Sequence, residues 1–97
     1  MISLEDIKRA HNNISKYIYK TPQVHSTSLS KKNQRVSLKL ESMQITGSFK
    51  LRGAINKLLS LNDEQKKKGV VACSTGNHGK GVAYAATVLG IKSTIYM

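Results

Sequence analysis

Hydrophobic residues recur at helical spacing near the start of the chain. The spacing predicts a helix from Ile2 to Tyr19, with an apolar stripe made of Leu4, Ile7, Ala10 or His11, Ile14 and Ile18. Ser3 and Asp6 fit a capping box at its start, with Ile2 and Ile7 at the hydrophobic staple positions. Thr21-Pro22 ends the helix, because a residue before proline is driven out of helical geometry. His11 and His25 have no partner in the sequence, so both are assigned packing or surface roles.

The next part of the chain is polar and then alternates. Gln23 to Arg35 is rich in Ser, Thr and Asn, which predicts a loop that contains His25 and a short turn anchored by Leu29. Val36, Leu38 and Leu40 then alternate with polar residues, and this period of two is typical of a strand.

The second half of the chain alternates between helical and strand-like segments. We expect a helix from Ser48 to about Leu59, a short helix from Asn62 to Gly69, a strand over Val70 to Cys73, a helix from Lys80 to Leu89 capped by Gly90, and a strand over Thr94 to Met97. Strands that alternate with helices are typical of a parallel sheet with right-handed crossovers. The fold class is therefore α/β, with a partial parallel sheet and flanking helices.

The charge is strongly positive but dispersed. The 97 residues contain 16 Lys+Arg and 5 Asp+Glu, a formal net charge of +11. The longest basic runs, Lys66 to Lys68 and Lys31-Lys32, contain no interleaved aromatic residue on which a base would stack. This favours a solvated, lysine-rich surface and no nucleic-acid partner, although a small basic nucleic-acid-binding protein stays open as an alternative.

Other classes of protein are disfavoured by what the sequence lacks. No run approaches membrane-spanning length, and the N-terminal stretch lacks the apolar region of a signal peptide, so a cytoplasmic protein without a membrane partner is expected. The single cysteine, Cys73, has no metal-ligand spacing around it and ends an apolar strand. We therefore expect a buried, unreactive thiol and no metal site.

Two stretches carry the candidate chemistry. Ser74-Thr75-Gly76-Asn77-His78-Gly79 lies between a strand and a helix, where unpaired backbone N–H groups can bind an anion. Lys50, in Thr46 to Ala54, begins another helix. The helix dipole, and burial if the amine is desolvated, would favour its neutral form, which can bond to an aldehyde cofactor. Together the stretches predict a lysine-bound cofactor that faces an anion-binding turn.

These stretches resemble the two N-terminal signatures of the threonine dehydratase and serine racemase family, which are pyridoxal-phosphate enzymes of the tryptophan synthase β-like fold. The similarity extends to Ser3 to Ile7, Thr21-Pro22, Leu29-Ser30 and Leu38 to Glu41. His78 stands where related cysteine synthases usually have threonine, which favours the dehydratases. Thr75, where serine is common, resembles the hydroxyectoine-utilisation dehydratase subgroup.

The resemblance implies a role for each residue of the site. Lys50 would bond covalently to pyridoxal 5'-phosphate and move protons at the substrate Cα, with Lys50 and Thr75 as catalytic residues. Phe49 would lie beside the cofactor ring, and Asn77 would hydrogen-bond the 3-hydroxyl of the ring. The substrate carboxylate would be bound by Ser74, Thr75, Gly76, Asn77 and His78. The implied reaction removes water from a β-hydroxy amino acid and yields a 2-oxo acid and ammonia.

The resemblance covers only the N-terminal third of such enzymes. Residues 1–97 are therefore expected to form an incomplete domain, truncated at its C-terminus and without the loop for the cofactor phosphate. We expect the chain to be inactive alone and to associate with a missing C-terminal fragment, while the full-length relatives would be homo-oligomers. Threonine, serine and hydroxyaspartate remain open as substrates, racemisation remains open as the reaction, and a non-functional remnant remains an alternative.

Overall fold

The computed structural model describes all of residues 1–97. Along the chain the elements are α1 (Leu4–Ile14) with a 3-10 turn (Ser15–Tyr17), β1 (Gln23–His25), β2 (Ser37–Lys39), a second 3-10 turn (Glu41–Met43), α2 (Lys50–Leu59), α3 (Asp63–Lys68), β3 (Val70–Cys73), α4 (Asn77–Leu89) and β4 (Ser93–Tyr96). No helix is long and apolar enough to cross a bilayer.

The first helix is shorter than predicted. Its capping box is confirmed, because the Ser3 hydroxyl accepts from the Asp6 N–H while the Asp6 carboxylate accepts from the Ser3 N–H. Of the predicted stripe only Ile14 is buried, whereas Leu4 and Ile7 are 63% and 58% exposed. The reason is that the start of α1 has no element packed over it, although α1 does contact α2.

A hairpin replaces the predicted loop before residue 35. β1 pairs antiparallel with β2, in a register that places Val24 opposite Leu38. His25 therefore lies in a strand, and the prediction of a loop was wrong there. Leu29 is in a turn as predicted, but it is 56% exposed and anchors nothing. Three residues are too few to show a period of two, so pairing with β2 decides the structure of β1.

The core lies between α2 and α4, which pack against each other. Leu51, Ile55 and Leu58 of α2 are buried, as are Val82, Ala85 and Ala86 of α4. Leu51 and Ile55 are the largest fully buried side chains. Because the apolar residues of α2 recur at helical spacing, they form one face that meets the small residues of α4.

The C-terminal part is a parallel strand–helix–strand unit. β3 and β4 pair in parallel, with Val70 opposite Ser93 and Cys73 opposite Tyr96, and α4 connects them. This confirms the predicted parallel sheet with flanking helices. β2 belongs to the separate antiparallel hairpin, so the parallel sheet contains two strands.

Only one face of this sheet is covered. Val70, Ala72 and Ile95 are half-buried and pack against the core, whereas Val71 and Tyr96 on the opposite face are 71% and 62% exposed. Cys73 shares the open face and is exposed, so the expectation of a buried thiol was wrong. An apolar strand sequence indicates two covered faces, but here a second layer is missing.

Candidate active site

The turn between β3 and α4 is closed by its own first residue. The Ser74 hydroxyl oxygen accepts from the N–H groups of Gly76, at 3.2 Å, and Gly79, at 3.0 Å. A Cβ on Gly79 would lie 3.0 Å from both the Ser74 carbonyl oxygen and a methyl carbon of Ile95. Glycine at this position therefore lets the turn fold onto Ser74 and β4.

Three N–H groups of the turn remain free. Those of Thr75, Asn77 and His78 have no acceptor in the protein, and α4 begins at Asn77. They point from the positive end of a helix of 13 residues, where an anion is stabilised. Thr75, Asn77 and His78 are exposed and Ser74 is half-buried, so a ligand can reach the turn from solvent.

Lys50 is the first residue of α2. Its N–H donates to the Ser48 hydroxyl at 3.3 Å, and its amine lies 4.9 Å from the centre of the Phe49 ring, a cation–π distance. Both Lys50 and Phe49 are exposed, with Phe49 58% accessible. The aromatic ring and the amine thus lie together at the surface of the chain.

Gly81 brings the two stretches into contact. A Cβ on Gly81 would lie 3.2 Å from the Leu51 backbone nitrogen and 3.3 Å from the Lys50 carbonyl carbon. The backbone of α4, one turn beyond Asn77, therefore touches the backbone of α2 at Lys50. Close approach of this kind requires glycine, and it fixes the position of Lys50 relative to the turn.

The site residues line two neighbouring clefts. The first, which we call the lysine cleft, has a volume of about 550 Å³ between α2 and β3 and is lined by Phe49, Lys50 and His78 together with the apolar residues Leu58 and Val71. The second, the turn cleft, has a volume of about 470 Å³ and is lined by residues 74–77, Gly79 and Lys80. Asn77 and His78 are consecutive and line different clefts, so the first turn of α4 separates the two.

Sequence reasoning missed the residues that support Lys50. The Arg52 guanidinium pairs with the Glu41 carboxylate through both Nε and an Nη2 that lies 3.2 Å from Oε2. The hydrogen bond from Arg52, followed by that from the Thr21 hydroxyl, holds the pKa of the Glu41 carboxyl below its ordinary value against the opposing effect of burial. Arg52 lies inside the Thr46 to Ala54 signature, which was the available signal, whereas its partner is eleven residues away.

Comparison with known proteins decides the family. A model of the family described as pyridoxal-phosphate dependent enzyme matches residues 14–97. The chain belongs to this family. It is 52% identical over its whole length to the catabolic L-threonine dehydratase of Staphylococcus aureus and 48% identical to the L-threonine ammonia-lyase of Thermotoga maritima. It spans 29% and 24% of the length of these two relatives.

Solved structures show the same fold. The serine racemase of Dictyostelium discoideum matches with a TM-score of 0.89 and 43% identity over 97% of this chain and 31% of its own. The serine racemase of maize matches with a TM-score of 0.86 and 41% identity over 95% of this chain and 29% of its own. A bacterial-type threonine deaminase fold is represented as well, by a threonine deaminase crystal structure with a TM-score of 0.84 and 45% identity over 99% of this chain and 34% of its own. The expected fold type, that of these pyridoxal-phosphate enzymes, is thereby confirmed.

The lysine cleft fits the cofactor of the family. Its volume falls in the range of small-molecule sites, about 300–1,000 Å³, and apolar walls suit a flat aromatic ring. Lys50, Arg52 and Lys57 line it and no carboxylate does, which suits a ligand that carries a phosphate. Lys50 supplies the only side chain of the predicted site that can bond to an aldehyde.

Proposed function

We propose that this chain carries the lysine-bearing part of a pyridoxal-phosphate-dependent ammonia-lyase, a dehydratase that acts on a β-hydroxy amino acid of the threonine or serine type. The observation that carries the proposal is the direct backbone contact between α2 at Lys50 and α4 at Gly81, which holds the lysine beside the anion-binding turn. The relatives named above, a threonine dehydratase among them, support the choice of substrate class.

In this proposal the residues of the chain bind and orient the substrate. The free N–H groups of Thr75, Asn77 and His78 bind its carboxylate, with the positive end of α4 behind them. Gly76 keeps that approach open, because no atom lies within 4 Å of where its Cβ would be. Ser74 already accepts two N–H groups, so its hydroxyl contributes by donating its proton.

The cofactor would be held in the lysine cleft. Lys50 attaches it, Phe49 lies beside its ring, and Asn77 donates or accepts a hydrogen bond at the ring hydroxyl. When bound, the cofactor withdraws electrons from the substrate Cα, which makes the Cα proton removable. The Lys50 amine then takes that proton, and the Thr75 hydroxyl is a second group that can give or take one.

Labelling of Lys50 tests this function. The 97-residue chain is mixed with pyridoxal phosphate and reduced with borohydride, and the modified lysine is mapped by peptide mass spectrometry. We expect Lys50 to be labelled in preference to the other lysines, and the label to disappear in Lys50→Ala but to persist in Lys66→Ala. Labelling spread evenly over the surface lysines would contradict the proposal and favour a remnant without an assembled site.

We also propose that activity requires a second, C-terminal polypeptide, in a cytoplasmic enzyme that forms homo-oligomers when whole. The open face of the β3–β4 sheet supports this, because Val71 and Tyr96 on it are exposed. The remaining part of the Staphylococcus aureus dehydratase, produced separately, should restore formation of a 2-oxo acid from threonine when it is added to this chain. Activity without this chain, or equal activity with Lys50→Ala, would refute the proposal.

A further inference from the structure

The helix that begins at Lys50 lacks the local devices that fix the other helix starts. Capping boxes close the start of α1, with Ser3 and Asp6, and of α3, with Asn62 and Gln65. At the start of α2 the cap residue Phe49 makes no side-chain hydrogen bond, and no acidic residue lies in the first turn. The position of that turn therefore depends on residues far away in the sequence.

Glu41 supplies what the first turn of α2 lacks. Its carboxylate pairs with Arg52, in the first turn, and the two side chains are only 17% and 26% exposed. A carboxylate near a helix start is favourable to the helix dipole, and a pair with little solvent around it is screened less than a surface pair. Glu41 itself lines none of the clefts.

The carboxylate is in turn held from its other side. The buried Thr21 hydroxyl donates to Glu41 Oε2 at 2.7 Å, and the Lys39 amine donates to the Thr21 carbonyl at 2.6 Å. Buried Gln44, three residues on, accepts from the Tyr19 N–H at 2.8 Å and donates to the Tyr19 carbonyl at 3.0 Å. Residues 41–44 are thus tied to residues 19–21, which gives the pair a fixed base.

The first turn of α2 is consequently gripped on two sides, by Glu41 through Arg52 and by the Gly81 backbone. We propose that Glu41 is a positioning residue for Lys50, acting through Arg52 to set where the amine lies in the lysine cleft. The proposed function gives this position its meaning, since displacement of a reacting group by about 1 Å can cost about a hundredfold in rate. Without Glu41, the uncompensated Arg52 charge would repel the Lys50 amine across the same cleft.

The test compares Glu41→Gln with Glu64→Gln in the 97-residue chain. Glu64→Gln is the matched control, because it removes an ion pair with Lys68 whose side chains are 77% and 74% exposed. Two readouts need no cofactor. The first is hydrogen exchange at the amides of residues 52–54, and the second is the ratio of Lys50 to Lys57 modified by formaldehyde and cyanoborohydride in the folded chain.

We expect Glu41→Gln to speed exchange at residues 52–54 by about tenfold. It should also change the Lys50 to Lys57 ratio by at least about twofold, since repulsion across the cleft is relieved by movement of the Lys50 amine. Glu64→Gln should change neither. A role in stability alone would lower the melting temperature yet leave the ratio in the folded chain unchanged, and that result would overturn the proposal.

Two further variants keep the proposal open to refutation. If Glu41 acts through Arg52, adding Glu41→Gln to Arg52→Gln should change the ratio no further. Should Glu41→Gln fail to fold, Thr21→Val loosens the same carboxylate at nearly constant volume, and it should shift the ratio in the same direction by a smaller factor. An unchanged ratio in Thr21→Val would overturn the proposal.

The outcome is separable from that of the proposed function. Selective labelling of Lys50 by pyridoxal phosphate in the natural chain, together with an unaltered ratio in Glu41→Gln, would sustain the function and refute the positioning role. Even labelling by pyridoxal phosphate, together with an altered ratio, would refute the function and sustain the positioning of Lys50.

Discussion

Gly81 and Gly53 are helical glycines with opposite surroundings. A Cβ on Gly81 would be within 3.4 Å of three backbone atoms of α2, whereas nothing lies within 4 Å of one on Gly53. Overpacking of this kind costs about 1–3 kcal/mol, more than the gain of up to about 1 kcal/mol that alanine brings to a helix interior. Gly81 is therefore fixed by tertiary contact and Gly53 is not.

The paired variants should diverge in stability. Gly81→Ala is expected to lower the melting temperature and weaken selective labelling of Lys50, while Gly53→Ala should raise the free energy of unfolding by about 0.4–1 kcal/mol. Circular dichroism melts of the two proteins check this. If both variants were stabilised equally, α2 and α4 would not touch as closely as the structure shows.

Individual residues also show where a sequence signal ends. The run Val70 to Cys73 is apolar throughout, so a buried Cys73 was expected, yet it is exposed because α4 covers one face of the sheet only. Conversely, Gln44 is polar and lies in a turn, but it is only 4% exposed. Burial depends on which elements meet, and neighbouring residues in the sequence do not record that.

Helix starts differ in how far the sequence determines them. The boxes of α1 and α3 were visible in the sequence, because their partners are three residues apart. The start of α2 was placed two residues too early, at Ser48, since its support comes from Glu41, eleven residues before Arg52. Local hydrogen bonds can be read from spacing, whereas long-range ones cannot.

The start of α1 should respond to acid. Hydrogen bonds from the Ser3 N–H and hydroxyl, and the charge of Arg9, hold the pKa of Asp6 below its ordinary value. Stability from this group is therefore present above that value and lost as pH falls through the lowered one. We expect the melting temperature to fall between about pH 5 and about pH 2, and to fall less in Asp6→Asn.

A companion variant tests the capping box at neutral pH. Ser3→Ala removes the hydroxyl that accepts from the Asp6 N–H, and loss of such a cap costs about 0.5–2 kcal/mol. It should also reduce the acid dependence, because Asp6 loses a donor. An acid dependence identical in the natural chain, Asp6→Asn and Ser3→Ala would show that Asp6 does not contribute.

The molecule as a whole exposes more surface than a compact domain of its size. Its accessible surface is 7233 Å², whereas about 5,500 Å² is expected for its mass. Its radius of gyration is 16.1 Å, against about 13 Å for a compact domain of 100 residues. Much of this excess reflects the projecting hairpin and the uncovered face of the β3–β4 sheet.

That uncovered face should promote self-association. Val71 is 71% exposed on it, and the outer edges of both strands are unpaired. Val71→Lys should shift sedimentation at high protein concentration towards the monomer. Val88→Lys adds the same charge on α4, where Val88 is 43% exposed, and should have a smaller effect. Equal effects would show that net charge, and not the sheet face, governs association.

The sequence by itself determined the order of most elements and the two stretches that bear the chemistry. Helical spacing, capping residues and the turn from Ser74 to Gly79 depend on residues close together in the chain, so their physics is local. Tertiary structure alone decided the β1–β2 hairpin, the division of the site between two clefts, and the support of Lys50 by Glu41, Arg52 and Gly81. Each of these depends on which distant backbones approach, which no local pattern encodes.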